Sequence, residues 1–507
     1  MQGYGKRWVT AALTLCMALG VPSLAFGAGA REDSAWLSVS TWQPDATAST
    51  KGDLLTAGWV GNGRVLAAKD GSVLVSDTVN HVIWKVSGTQ RTVFAGMRFA
   101  GYKENAKPLG GLLDGAANSA LFNQPMGMDT DAAGNLYVAD SGNHAIRKIT
   151  PTGQVSTLAG NGVQGFKDGI GSAAALNTPE DVAVAKDGSV YVADTLNHVI
   201  RKIAADGTVN TLTGSSNRVV EVYSGVAAFA GDYKDEALKD ARFNEPSGLA
   251  LDDEGNLYVS DSGNQVIRYI NLKTGMVTTV AGSVAGDGQG AASGKLYRDG
   301  GYQDGAAASA KFNRPVDVAW SSSQHELVIA DSLNQVVRTL KDGQVHTLVG
   351  SLQGEEGKAD GVESTSLLSY PQGVAVSQDG SVGWIAGNGL RQWSLYRQPD
   401  HKPMKPAGAV YVAYNAKWLQ IDTRVTKDGQ TLIPLRSIAS ELGLKLVSAS
   451  AKSAVVQSGD RMIQLEAGST AQSIDGKLYV PIRTLTDLLD KDVKWLASEK
   501  TVVIRDK

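Results

Sequence analysis

The sequence predicts a mainly β chain, a six-bladed β-propeller followed by a small α+β domain, from three observations. A phrase of alternating apolar and polar residues recurs along most of the chain, a proline-rich break ends it, and a different, shorter duplication follows. At 507 residues the chain exceeds the roughly 250–300 that one core can serve, so at least two domains are expected. Its 58 glycines against 14 prolines show no collagen period and suit the many tight turns of an all-β repeat.

The repeat is seen by laying the chain against itself. Gly134 to Arg147 (GNLYVADSGNHAIR) returns as Gly188 to Arg201 (GSVYVADTLNHVIR), and further copies carry Asp77, Asp261 and Asp331. A worn sixth copy, Trp384 to Asn388 (WIAGN), follows an intact Tyr370 to Val376 (YPQGVAV). Each unit reads as four short β-rich segments divided by Gly-Asn, Asp-Gly or Ser-x-Asn turns, hence one small antiparallel sheet. Such units arranged around an axis bury both faces against their neighbours. An open ring would leave two bare sheet edges, and the apolar stretch Trp36 to Trp42 is placed to supply the strand that the last unit lacks.

The run from Phe122 through Pro125, Gly134 to Lys148 and Thr157 to Gly160 resembles the NHL repeat, and residues 35–397 share the pattern. The resemblance implies a six-bladed propeller used mainly for binding, although some propeller relatives are lyases.

Residues 1–30 read as an export signal: Lys6 and Arg7, an apolar run from Trp8 to Gly20, then Ala28-Gly29-Ala30 for cleavage. No later run of about 18 apolar residues is present, so no membrane span is expected after signal removal. The mature chain is expected to be secreted or at the cell surface. Cys16, the single cysteine, lies in the signal, so disulfides and thiolate metal sites are excluded from the mature chain. A net charge of −3 provides no global field for nucleic acid, and no nucleic-acid partner is expected.

Residues 398–408, with Pro399, Pro403 and Pro406, have linker composition. In 409–507, Leu432 to Gly443 matches Tyr479 to Leu489, each copy reading strand, helix, strand, with Leu435, Ile438, Ala439 and Leu442 on one helix face. The pattern resembles the copper amine oxidase N-terminal-like, or stalk, domain. Copper is not carried over, because no histidine follows His401.

The Asp-Ser/Thr-x-Asn phrase reads as a turn in which Asp and Asn cap the backbone and Asn tolerates positive φ. His81, His144 and His198 share one repeat position with Gln265 and Gln335, which points to a common hydrogen-bonding role; His325 and His346 stand isolated. Arg147, Arg201, Arg268 and Arg338 form a recurring basic position, expected to pair with acids or to be solvated rather than to bind polyanions. Glu180, Asp181 and Asp317 enter the innermost strands and are weak calcium candidates; no other cofactor is expected.

Three long connections, 97–113, 215–234 and 283–303, fall at one repeat position and so on one face of a propeller. They carry Tyr102, Tyr223, Tyr233, Tyr297 and Tyr302, the candidate ligand-binding residues, whose rings either stack on a ligand or pack their own loops. The expected function is binding of an extracellular glycan or protein without catalysis. The alternative is an extracellular propeller lyase acting on a peptide or polysaccharide. Oligomeric state is not legible.

Overall fold

The structure, a computed structural model, describes residues 37–41, 63–97, 109–284, 295–395 and 410–506, with Trp8–Val9. Within these ranges 89, 224–225, 359–360, 363–365, 415–416, 427–428, 459–460, 490 and 497–500 are not described. Two compact units result, Trp36–Leu395 and Tyr396–Lys507 with Met1–Ala35. The linker 398–408 and nearly all of the leader lie outside the described residues. No described helix is long and apolar enough to cross a membrane.

Trp36–Leu395 is a β-propeller. Six antiparallel sheets of four or five strands follow in chain order. Their innermost strands are Val65–Ala67, Pro125–Thr130, Pro179–Val184, Pro246–Leu251, Pro315–Ser321 and Gly373–Val376. Each inner strand touches the next, and the last touches the first, so the ring closes. Leu37–Thr41 pairs antiparallel with Gly389–Leu395 as the expected clasp, and Leu37 and Val39 bury against Val374, Ile385 and Trp393. Alternating Val, Ile, Leu and Ala along the strands fill separate apolar layers between adjacent sheets.

The repeated phrase is explained by three contacts. Asp140 Oδ1 accepts the Asn123 amide, while its Oδ2 accepts from Asn143 Nδ2 and Arg147 Nη1, both at 2.8 Å. The same set recurs at Asp194, Asp261 and Asp331. The turn is a single 3-10 turn, and the left-handed residue is not Asn143 but its successor, His144, at φ 49°. That inversion of the expected assignment has a purpose. The left-handed His144 turns Nδ1 to accept the Thr178 amide of the next sheet at 3.0 Å, as His81 does for Gln124 and His198 for Glu245. Gln265 and Gln335 offer Oε1 to Arg314 and Tyr370 in the same way, which accounts for the His/Gln interchange. The hydroxyls of Ser141, Thr195 and Ser262 each donate to the carbonyl of the next sheet's inner-strand proline, Pro179, Pro246 and Pro315.

The four arginines are 0% exposed, so solvation and polyanion binding are both overturned for them. Arg147 donates to Asp140, Asp114 and the carbonyls of Leu113 and Leu121, with its guanidinium 4.9 Å from the Phe122 ring. Each arginine thus fastens the incoming connection onto its own sheet, and the second carboxylate belongs to that connection, upstream of the arginine: Asp114 for Arg147, and Asp168, Asp235 and Asp304 in the later copies.

The C-terminal unit carries both predicted strand-helix-strand copies. The first is Thr431–Pro434, Leu435–Ala439 and Lys445–Ala449; the second is Lys477–Pro481, Ile482–Leu489 and Lys491–Leu496. The two leading strands pair antiparallel, and Leu435, Ile438, Ala439 and Leu442 are buried together in its core. Trp8–Val9 pairs in parallel with Met462–Ile463 at the edge of this unit.

Candidate functional site

Two surfaces of the propeller merit attention, one at each end of its axis. At the end where the inner strands begin, the described parts of two long connections, 215–234 and 295–303, meet. Their centre is Arg218, whose Nε donates to the Gly231 carbonyl and whose two Nη atoms donate to the carbonyls of Lys295 and Leu296. Asn244 Nδ2 also reaches Leu296 O, so connections from adjacent sheets are fixed to each other. Beside them Val219–Tyr223 and Val226–Phe229 form a two-stranded hairpin. Its Phe229 is 74% exposed and Val219 54%, next to a connection carrying Tyr297 at 42%. Such apolar exposure on a rigid scaffold is characteristic of recognition surfaces.

The five candidate tyrosines separate. Tyr102 lies outside the described residues, and of Tyr223 only the backbone is described. Tyr233 and Tyr302 lie over Arg268 and Arg338, 4.8 Å and 5.2 Å from the guanidinium carbons. Their hydroxyls meet Thr279 and Thr347 at 2.7 Å in their own sheets. These two serve the framework, the packing alternative stated for them above, because the buried cation beneath each attracts a ring face. Tyr297 is engaged across sheets through its hydroxyl, which donates to Glu245 at 2.7 Å; burial and this bond raise its pKa to about 12, while Arg298 of the same connection lies 5.0 Å from the Tyr233 ring.

The inner strands also place one residue each at a common level near this end: Arg64, Gly127, Asp181, Gly248, Asp317 and Gly373. Charged residues and glycines alternate because the level is too narrow for six side chains. A Cβ on Gly127 would lie 1.8 Å from Asp181 Oδ1, and one on Gly248 2.6 Å from Asp317 Cα. Asp181 Oδ2 accepts the Leu249 amide and Asp317 Oδ2 the Val374 amide, each tying its inner strand to the next where no ladder runs. Arg64 Nη1 stands 2.5 Å from Asp317 Oδ1, and Nη2 stands 3.8 Å from Glu180. A guanidinium therefore stands beside the carboxylates proposed for calcium, and no group of three or more metal-binding side chains occurs among the described residues. Burial drives the carboxyls of Asp181, Asp317 and Glu180 above their ordinary range, Asp317 adding its charge to the effect on Asp181.

Beyond this level the axis widens into a cavity of about 770 Å³. Val65, Val182, Leu249, Val318 and Val374 line its walls, and Lys186, Asp187, Asp253, Glu254 and Lys273 its opposite end. Tyr191 and Trp320 also line it, and Trp320 stacks on Tyr258 at 5.6 Å. His325, isolated in sequence, lies 3.5 Å from Asp253 and edge-on to Trp320. Asp129 accepts the Val184 amide at 2.7 Å, and burial raises its pKa to about 6. Sequence reasoning missed Arg64, Asp129 and Trp320. Arg64 was recoverable, since aligning Gly63-Arg64-Val65 with the later inner strands puts it level with Asp181 and Asp317.

Comparison with known proteins matches the NHL repeat at residues 122–149, 176–203 and 243–268. The chain is 31% identical over 280 residues to Protein SUPPRESSOR OF QUENCHING 1, chloroplastic, of Arabidopsis thaliana, covering 53% of this chain and 24% of that protein. It is 28% identical over 351 residues to human NHL repeat-containing protein 2, covering 63% of this chain and 44% of the relative. The chain thus spans less than half the length of these relatives. Among solved structures, an auxiliary nutrient binding protein from Bacteroides ovatus aligns with a TM-score of 0.47 at 13% identity, over 72% of this chain and 78% of that one.

Proposed function

We propose that this NHL-repeat β-propeller is a secreted or cell-surface binding and scaffold protein, without enzymatic activity, whose loop face recognises an extracellular glycan or protein. The observation that supports this reading is the locked pair of connections: Arg218 bonds both, and the hairpin beside them presents Val219 and Phe229 to solvent. A surface already ordered loses less conformational entropy on binding, and an apolar centre with a polar surround suits macromolecular recognition. In this reading the six-sheet ring is the scaffold and the C-terminal unit, with its likeness to stalk domains, spaces or attaches it.

The test is a screen of the mature protein against cell-wall glycans and secreted proteins, followed by Phe229→Ala and Tyr297→Ala. For a hit on this face, each substitution weakens binding by about 1–3 kcal/mol while the melting curve stays in place. Binding that survives both together places recognition elsewhere.

A further inference from the structure

We propose that the axial cavity is a second binding site, for a small zwitterion of the amino-acid type: an ammonium beside a carboxylate, on an apolar body. The site is the axial cavity beneath the level of Arg64 and Asp317 and not the loop face itself, so its failure would leave the loop-face reading untouched.

The shape comes first. The cavity, at about 770 Å³, is within the range of small-molecule sites, and valine, leucine and alanine side chains of the inner strands form part of its walls between two charged ends. Apolar walls give a ligand body its driving force without fixing its orientation.

Orientation comes from the charged end. Arg64 is 2% exposed, lines the cavity, and its Nε meets no acceptor among the described residues. A buried donor without a partner costs about 1–3 kcal/mol, which a ligand oxygen would recover. The carboxylate that faces it, Asp317, holds the Val374 amide with one oxygen and meets Arg64 Nη1 with the other. Asp181 stands at the same level with both oxygens already on backbone amides, of Val182 and Leu249. The level thus offers a ligand one guanidinium, with an unpartnered Nε, beside the Asp317 carboxylate, and Glu180 stands 3.8 Å from Nη2. A lone anion would use only the guanidinium and a lone cation only the carboxylate, and either would bring an uncompensated charge into a buried level. A zwitterion does not: its carboxylate meets Arg64 in the forked geometry guanidinium favours, and its ammonium meets Asp317.

The experiment uses the mature protein and three probes of one carbon skeleton: leucine, isopentylamine, which lacks the carboxylate, and 4-methylpentanoate, which lacks the ammonium. Titration calorimetry at pH 7.5 is expected to give saturable binding of leucine and at least tenfold weaker binding of both analogues. Arg64→Lys keeps the charge but removes Nε, and should abolish the preference for leucine over isopentylamine. Asp317→Asn keeps an acceptor for the Val374 amide, and should abolish the preference for leucine over 4-methylpentanoate. Equal binding of the three probes, no binding of leucine at millimolar concentration, or preferences unchanged in both folded variants would overturn the proposal. Circular dichroism identifies a variant that has unfolded, and the other variant then decides.

Discussion

The four middle sheets of the propeller differ from the first and the last. In the middle four a buried arginine bonds two carboxylates and the carbonyls of the connection that enters its sheet. In the first sheet Trp84 stands at that position, its indole N–H donating to Asp77 at 3.1 Å. In the last, Arg391 is kept and still donates to the Leu367 carbonyl, but Gly387 stands where the other copies have aspartate. The sheet itself forms in all six cases, so the ion cluster is not what makes a sheet. It makes the attachment between a sheet and the chain arriving from its neighbour. The first and last sheets are instead joined by the clasp, a strand rather than a side-chain cluster.

The strongest way to break this comparison is at the clasp. Removing Leu37–Thr41 strips Gly389–Leu395 of its partner and takes Leu37 and Val39 out of their apolar layer. Those two side chains alone account for about 3–6 kcal/mol, before any gain in freedom of the opened ring. Thermal unfolding followed by circular dichroism should show a lower midpoint and a broader transition. An unchanged midpoint would mean that the ring holds without its clasp.

A smaller effect sharpens it. Arg201→Ala leaves Asp194, 0% exposed, without its cation, and truncating one partner of a buried pair costs about 3–5 kcal/mol. Trp84→Phe removes a single N–H donor from Asp77 while leaving the aromatic bulk, a loss of about 1–2 kcal/mol. Urea midpoints of the two variants should therefore separate clearly. If they coincide, the cluster adds nothing over one hydrogen bond, and the distinction between middle and end sheets is decorative.

The ring itself was legible because its signal is repetition: the same aspartate, proline and apolar alternation returned in each unit, and Trp36 to Trp42 was an apolar strand with no unit of its own. The roles of single residues were less so. Asparagine at 143 tolerates the left-handed conformation, yet it is His144 that adopts it, and the bond from Thr178 to His144 decides which residue turns. Tyr233 and Tyr302 were read from their loops, while their rings answer to Arg268 and Arg338, which are remote in sequence. Arg64 stands in the first unit, and its meaning depends on Asp317, more than two hundred residues away.

The finest difference lies within the middle sheets, between histidine and glutamine at one position. His198 accepts the Glu245 amide through Nδ1 and must be neutral to do so, and burial lowers its pKa to about 4. In the unfolded chain the same group takes a proton near pH 6.5. Between these values the unfolded state binds the extra proton, so this histidine's contribution is complete above pH 6.5 and is lost as pH falls toward 4. The full loss is on the order of 3 kcal/mol. Gln265 and Gln335 make the same bond with an oxygen that does not titrate. His198→Gln should accordingly match the natural protein at pH 7.5 and exceed it at pH 5, by about 1–2 kcal/mol in urea denaturation. Buried carboxyls such as Asp129, raised to about 6, act in the opposite sense, stabilising the fold as pH falls, but they are common to both proteins and cancel in the difference. A variant whose stability runs parallel to the natural protein from pH 7.5 to 5 would show that the bond from Glu245 does not depend on the charge of His198, and that the two residue types differ only in shape.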